Sequence, residues 1–261
     1  MRTISKALLT FFVVLCTAGH SFAQSPLISL ESATSASTTA ISTTFNHAED
    51  TLKKQFEIKK MSFPPREMYV RSFKYDRELE VWVRYDDTSS FQLFKTYKVC
   101  MQSGTMGPKR MQGDYQVPEG FYYINEFNPN SNYHLALGLN YPNTSDKIVS
   151  DSLHLHPGSE IYIHGDCVST GCIPISDEPI EELYLLASFV KTQGQDYIPV
   201  HVFPVRYDVP KSVEYLDQTT KNNKALQQFA LTLKSAFDYF QLNKQLPVIM
   251  IDKRGQYVIN N

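Results

Sequence analysis

Residues Ile161 to Tyr184 read IYIHGDCVSTGCIPISDEPIEELY, and the rest of the chain is organised around them. The run Glu160-Ile-Tyr-Ile is apolar and β-branched, as in a short buried strand that ends at His164. From Asp177 onward, Ile180, Leu183, Tyr184 and Ala187 recur at helical spacing, with Ser176 or Asp177 as the N-cap candidate. Between strand and helix lies a turn of small residues, Ser169-Thr170-Gly171-Cys172. Cys172 follows His164 by eight positions, so a strand, a tight turn and a returning segment would bring thiol and imidazole together. A cysteine within hydrogen-bond reach of an imidazole ionises near neutral pH, and its thiolate is a nucleophile. Taken singly, the cysteine reads as a small hydrophobe and the histidine as a satisfied polar group. The pair in a glycine-bearing turn points to chemistry.

Outward from that stretch, composition bounds the answer. The chain has 261 residues, 42% hydrophobic and 20% charged, which suits one globular domain with extensions. The aromatic share of 13% suits a β-rich core or a groove for an extended ligand. A net charge of −2 without a basic run gives no support for nucleic-acid binding. The basic start Met1 to Lys6, the apolar run Ala7 to Ala18 and the small residues of Ser21-Phe22-Ala23 read as a signal peptide over 1–23. The apolar run is short for a membrane anchor, and Leu15 before Cys16 argues against a lipoprotein signal. Cleavage would remove Arg2 and Lys6 and no acid, taking the net charge from −2 to −4. It would also leave Cys100, Cys167 and Cys172, an odd number for an oxidising compartment. The plainest expectation for Cys100 and Cys167 is two separate buried thiols. The alternatives are a bridge between them, or a reversible Cys167–Cys172 pair.

Residues 24–47 are rich in Ser, Thr and Ala and read as a flexible linker, followed by a short helix from Ala48. Glu67 to Phe73, Leu79 to Tyr85 and Phe91 to Met101 read as an antiparallel meander with Trp82 in the core. A glycine-punctuated loop over Gln102 to Gly113 and a turn-strand unit over Gln116 to Ile124 follow. Tyr133 to Leu139 reads as a strand between two Asn- and Pro-bearing loops. His154 and His156 would share a face on a strand, but their spacing fits no common zinc pattern. Ile198 to Val205 reads as a strand that Pro204 demotes towards an edge. Asn222 to Phe240 predicts an amphipathic helix, and Pro247 to Ile259 a hairpin around Asp252-Lys-Arg-Gly255; both are expected to wall one side of a groove.

The pattern His164-Gly165-x-Cys167-Val168-Ser169-x-Gly171-Cys172, followed by Glu181-Glu182-Leu183-Tyr184 in a helix, resembles the catalytic motif of the L,D-transpeptidase (YkuD-type) domain. The runs GPK at 107–109, GDYQVPEGFYYI at 113–124 and FNPNSNYHLALGLNYPN at 127–143 resemble its murein L,D-transpeptidase-like subfamily of the bacterial periplasm. The resemblance extends from about Val81 to Arg206. It implies a mixed, mainly β fold, a β-sandwich or barrel with a few peripheral helices. The catalytic domain would occupy 48–206, with a helical and hairpin extension over 207–261 packed on it.

The resemblance also implies acyl chemistry on peptidoglycan stem peptides, with crosslinking or hydrolytic release of wall-linked protein as outcomes. Cys172 is then the nucleophile and His164 the general base and acid. Backbone amides of Thr170, Gly171 and Cys172 are the oxyanion candidates, because a small-residue turn can aim successive N–H groups at one point. A backbone carbonyl or Ser169 would orient the imidazole, with Gly165 among the orienting residues and Asp166 as the weaker alternative. Two departures stand out: the His-to-Cys spacing is shorter than in the wider family, and Pro174 stands where an arginine is common. Both agree with the subfamily, and Lys109 and Arg110 are the substitute substrate-binding cations. No cofactor or metal is expected, and the partners would be stem peptides and a wall-attached protein or lipoprotein, with no nucleic acid and no membrane span after signal cleavage. The rival readings are a silent wall-binding module and a zinc hydrolase built on His154, His156 and His164.

Overall fold

A computed structural model describes residues 47–260. The expected signal segment 1–23 and all but the last residue of the expected linker lie outside the described residues. The described part falls within one compact unit. Its helices are α1 (residues 47–58), α2 (Thr144–Ser152), α3 (Asp177–Thr192), α4 (Pro210–Thr220) and α5 (Lys224–Asn243). Its strands are β1 (Glu67–Phe73), β2 (Glu78–Arg84), β3 (Gln92–Lys98), β4 (Gly120–Ser131), β5 (His134–Leu139), β6 (Tyr162–His164), β7 (Ile173–Pro174), β8 (Ile198–Phe203), β9 (Val248–Ile251) and β10 (Tyr257–Asn260).

Eight strands form one curled, largely antiparallel sheet in the order β3-β2-β1-β8-β4-β5-β6-β7, and β9 and β10 form a separate hairpin. The mainly β fold with peripheral helices is thus as the resemblance implies, and the C-terminal helix and hairpin are as the apolar spacing predicts. Three details correct the sequence reading. β8 lies in the middle of the sheet, parallel to β1 and antiparallel to β4, because Pro204 falls just past its end and takes no ladder position. The segment after the Ser169–Cys172 turn does not return as a hairpin, since β6 and β7 pair in parallel with Ile163 opposite Ile173. Helix α2, hidden in a stretch that reads as loop, is nucleated by Asn143 and Asp146 in a reciprocal capping box. Its following turn carries His154 and His156, so they do not share a strand face.

Strand alternation sorts side chains onto two faces. The inner face, with Met68, Val70, Val81, Leu137, Ile163 and Val200, is closed by Leu52 and Phe56 of α1 and by Ile180, Leu183 and Leu186 of α3. Those aliphatic positions are what the helical spacing after Asp177 supplies, and burying each contributes about 1.5–3 kcal/mol. On the outer face α5 covers one half of the sheet. There Phe237 and Phe240 pack on Tyr69, Phe73, Trp82 and Phe203. A buried Arg71–Glu80 ion pair at 2.6 Å lies under the same helix and also receives the Trp82 indole N–H. The other half, formed by β5, β6 and β7, opens into a cavity instead.

The two edge strands meet. Just past the end of β3, Cys100 N–H donates to Pro174 O of β7 at 3.0 Å, and Cys100 forms a disulfide with Cys167 across a Cα–Cα distance of 5.7 Å. The expectation of two separate thiols is therefore overturned. β3 and β6 are not neighbours in the sheet, and it is the curl that brings its two edges together.

Candidate active site

The open outer face carries the residues singled out by sequence. Ile163 points into the inner core, so its neighbour His164 points outward; Ile173 points inward, so Cys172 before it points outward too. The parallel register, with Ile163 opposite Ile173, places Cys172 beside Tyr162 and diagonal to His164 on one face. Both line a cavity of about 380 Å³ with Ala136, Tyr162, Tyr133 and Thr170. Cys172 also lines a second cavity of about 370 Å³ with Lys109, Gly171 and Tyr115, so it sits where two recesses meet.

His164 is buried, and its Nδ1 lies 2.6 Å from the carbonyl oxygen of Gly165. A carbonyl only accepts, so Nδ1 carries the proton and Nε2 keeps its lone pair. The Tyr133 ring lies 4.8 Å from the imidazole at a 34° tilt and fixes its plane from the cavity side. Burial lowers the His164 pKa below 6.5, outweighing the Gly165 bond and the Asp166 charge. Burial likewise raises the Cys172 pKa above 9.0, against the Tyr162 amide, which favours the thiolate. Both shifts favour the neutral thiol and neutral imidazole over the thiolate that proximity alone suggests. Cys172 is the one free cysteine among the described residues.

The turn between them is held by polar contacts. Asp177 at the start of α3 accepts from Asp166 N–H at 2.6 Å, and Asp166 in turn accepts from Cys167 N–H. A Cβ on Gly165 would lie 2.6 Å from the Asp177 Oδ1, which explains glycine there. Ser176 occupies the N-cap position but makes no side-chain cap bond. Ser169 Oγ donates to Cys172 O at 2.8 Å and accepts from Gly171 N–H at 3.2 Å. It therefore staples the turn and does not reach the imidazole. Gly171 has φ +135, and a Cβ there would meet Gln116 O at 3.1 Å.

The loop below the turn is fixed by a buried cation. Lys74 Nζ donates to the carbonyls of Thr105, Gly107 and Val117 at 2.7–3.0 Å and pairs with Glu119 at 3.0 Å. Lys109 lines the second cavity beside Cys172, with its ammonium paired to Asp114. Arg110 turns away to Asp146 of α2 at 2.7 Å and lines neither cavity. The C-terminal helix and hairpin line neither cavity as well, so they do not wall this groove. No cluster of three or more His, Cys, Asp or Glu able to hold a metal ion occurs among the described residues. Sequence reading passed over Tyr133, Tyr162 and Glu160, which all face the cavity. The two-residue step from Tyr162 to His164 was the available signal for the second.

Comparison with known proteins shows what the chain is similar to. The profile of the L,D-transpeptidase catalytic domain family, YkuD, matches residues 76–202. "Putative L,D-transpeptidase YafK" of Escherichia coli (strain K12) is 31% identical over 213 residues, covering 80% of this chain and 79% of that protein. Among solved structures, the helical cell shape determining protein Pgp2 (K307A mutant) from Campylobacter jejuni aligns over 74% of each chain at 21% identity and a TM-score of 0.43.

Proposed function

The chain belongs to the L,D-transpeptidase catalytic domain family, and from that premise we propose that it acts on peptidoglycan stem peptides through a Cys172 thioester. The observation that carries this reading is the shared cavity: the free thiol of Cys172 and the imidazole of His164, held in the Nδ1–H tautomer by Gly165, face one recess.

In the proposed reaction the Cys172 thiol gives its proton to His164 Nε2 as the sulfur bonds to the carbonyl carbon at an L-to-D linkage. The negative charge moves to the carbonyl oxygen. Gly171 N–H is committed to Ser169, so the amides of Thr170 and Cys172 are assigned as its donors. Collapse breaks the C–N bond, and the imidazolium returns the proton to the departing amine. The thioester then passes its acyl group to an amine, which gives a crosslink or a protein attachment, or to water, which gives cleavage. A neutral resting pair suits this order, because the proton moves only when substrate is in place. Lys109, buried in the lining of the second recess with its ammonium paired to Asp114, is assigned to the substrate carboxylate.

The substrate places the protein in the bacterial envelope, in keeping with the expected signal segment, and no helix among the described residues is long and apolar enough to cross a membrane. Mass spectrometry of purified muropeptides after incubation tests the reading. New crosslinks mark a transferase, and shortened stems or freed protein remnants mark an amidase. Cys172→Ala and His164→Ala should each abolish the products while leaving the fold intact. Product formation at the wild-type rate by either variant would refute the mechanism.

A further inference from the structure

A third recess of about 400 Å³ lies at the boundary between the covered and open halves of the outer sheet face. Phe121 of β4 is opposite His201 of β8, and Tyr123 is opposite Pro199; all four point outward into it. Its far wall is Ile249 and Ile251 of β9 with Tyr257 of β10, so the C-terminal hairpin builds this pocket. The rings pack edge to face: Tyr123 on the exposed Tyr197 at 4.9 Å, and Phe121 on Tyr257 and on His201 at 4.7 Å. The lining holds no Asp, Glu, Lys or Arg, and burial lowers the His201 pKa to about 3, which keeps that ring neutral. Asn140 Oδ1 accepts from Tyr123 N–H at 2.8 Å, which fixes the amide and leaves its Nδ2 donors for a ligand. Neutral aromatic surfaces with an oriented amide suit an uncharged, hydroxyl-rich ring, and suit a charged peptide poorly.

The pocket shares its sheet face with Cys172. A β-bulge between Ile124 and Glu126 keeps Glu126 and Asn128 on the same side as Tyr123. Glu126 is opposite Gly138, which is opposite Tyr162, which lies beside Cys172, and the Tyr162 hydroxyl donates to Glu126 at 3.0 Å. Three strand spacings of ~4.8 Å and two to three residues of ~3.4 Å along β4 put Tyr123 about 17 Å from Cys172. Three to four extended residues span ~10–14 Å, to which the linkage between peptide and sugar adds the remainder.

We propose that this aromatic pocket is a saccharide subsite, holding the amino sugar that carries the stem peptide bound at Cys172. The proposal rests on the stem-peptide reading above and gives the C-terminal hairpin its part in recognition. The test uses the full mature chain carrying Cys172→Ala, titrated calorimetrically with a disaccharide-tetrapeptide and with the same tetrapeptide stripped of sugar. The sugar-bearing ligand should bind about tenfold tighter, the equivalent of one good polar or ring contact. Adding Tyr197→Ala, at an exposed ring, or Asn140→Asp, which keeps the acceptor for Tyr123 N–H and removes the donors, should erase that preference and leave affinity for the stripped peptide unchanged. Equal binding of the two ligands, equal weakening of both by the variants, or binding of neither ligand overturns the subsite. Turnover of the stripped peptide by the wild-type chain reports separately on the Cys172 chemistry.

Discussion

Removing the Cys100–Cys167 bridge should cost the protein about 4 kcal/mol in the chain-entropy account of a cross-link. The bond closes a loop of sequence separation 67. With a loss of 2.1 plus 1.5R ln n cal/mol/K, such a loop gives roughly 15 cal/mol/K, or ~4 kcal/mol at 25 °C. For a domain of this size that corresponds to a drop in Tm of roughly 8–16 °C. The double variant Cys100→Ala/Cys167→Ala is the right perturbation, because it leaves no new thiol to pair with Cys172. Urea unfolding of the variant and of the oxidised wild type, followed by tryptophan fluorescence of Trp82 in the core, gives the difference if the slopes match. The structure adds a second expectation. The bridge clasps the two edges of the sheet next to the turn that aims His164, and without it the Cys100–Pro174 backbone bond and the Ser103–Ser169 hydroxyl contact would be left to hold them. Turnover should therefore fall along with stability. A stability loss below about 1 kcal/mol would refute the clasp, since even a short bridged loop predicts more.

Two further outcomes follow from the site. Because burial lowers the His164 pKa below 6.5 and raises that of Cys172 above 9.0, kcat/KM should rise as His164 loses its proton on the acid side and stay level between those two values. Iodoacetamide labelling of Cys172 in the resting protein should climb only on the alkaline side; a labelling inflection below about pH 7 would reveal a thiolate–imidazolium pair and refute the neutral resting state. Lys74→Met strands the Glu119 carboxylate and three loop carbonyls in a buried setting, so denaturant unfolding should show a loss of ~3–5 kcal/mol, partly restored by adding Glu119→Gln. A Lys74→Met chain as stable as the wild type would show that the loop does not depend on the cation.

The sequence alone determined the strand before His164, the helix after Asp177, the meander, the C-terminal helix and hairpin, and the pair Cys172 and His164 as the residues to examine. These signals are local: alternation, helical spacing and a small-residue turn depend on neighbours a few positions apart. Where the reading failed, the deciding interaction was distant. Pro204 looked like an edge marker, yet β8 is central, because the ladder ends one residue earlier. The parallel pairing of β6 with β7, which sets Cys172 diagonal to His164, goes with a turn packed closely on Gln116, far off in sequence. The bridge from Cys100 to Cys167 exists because the sheet curls until its edges meet, and no spacing encodes curl. The burial that favours the neutral thiol and imidazole is likewise a tertiary property. Proximity in sequence promises an ion pair, but the cost of charging the two groups is set by everything packed around the thiol and the imidazole.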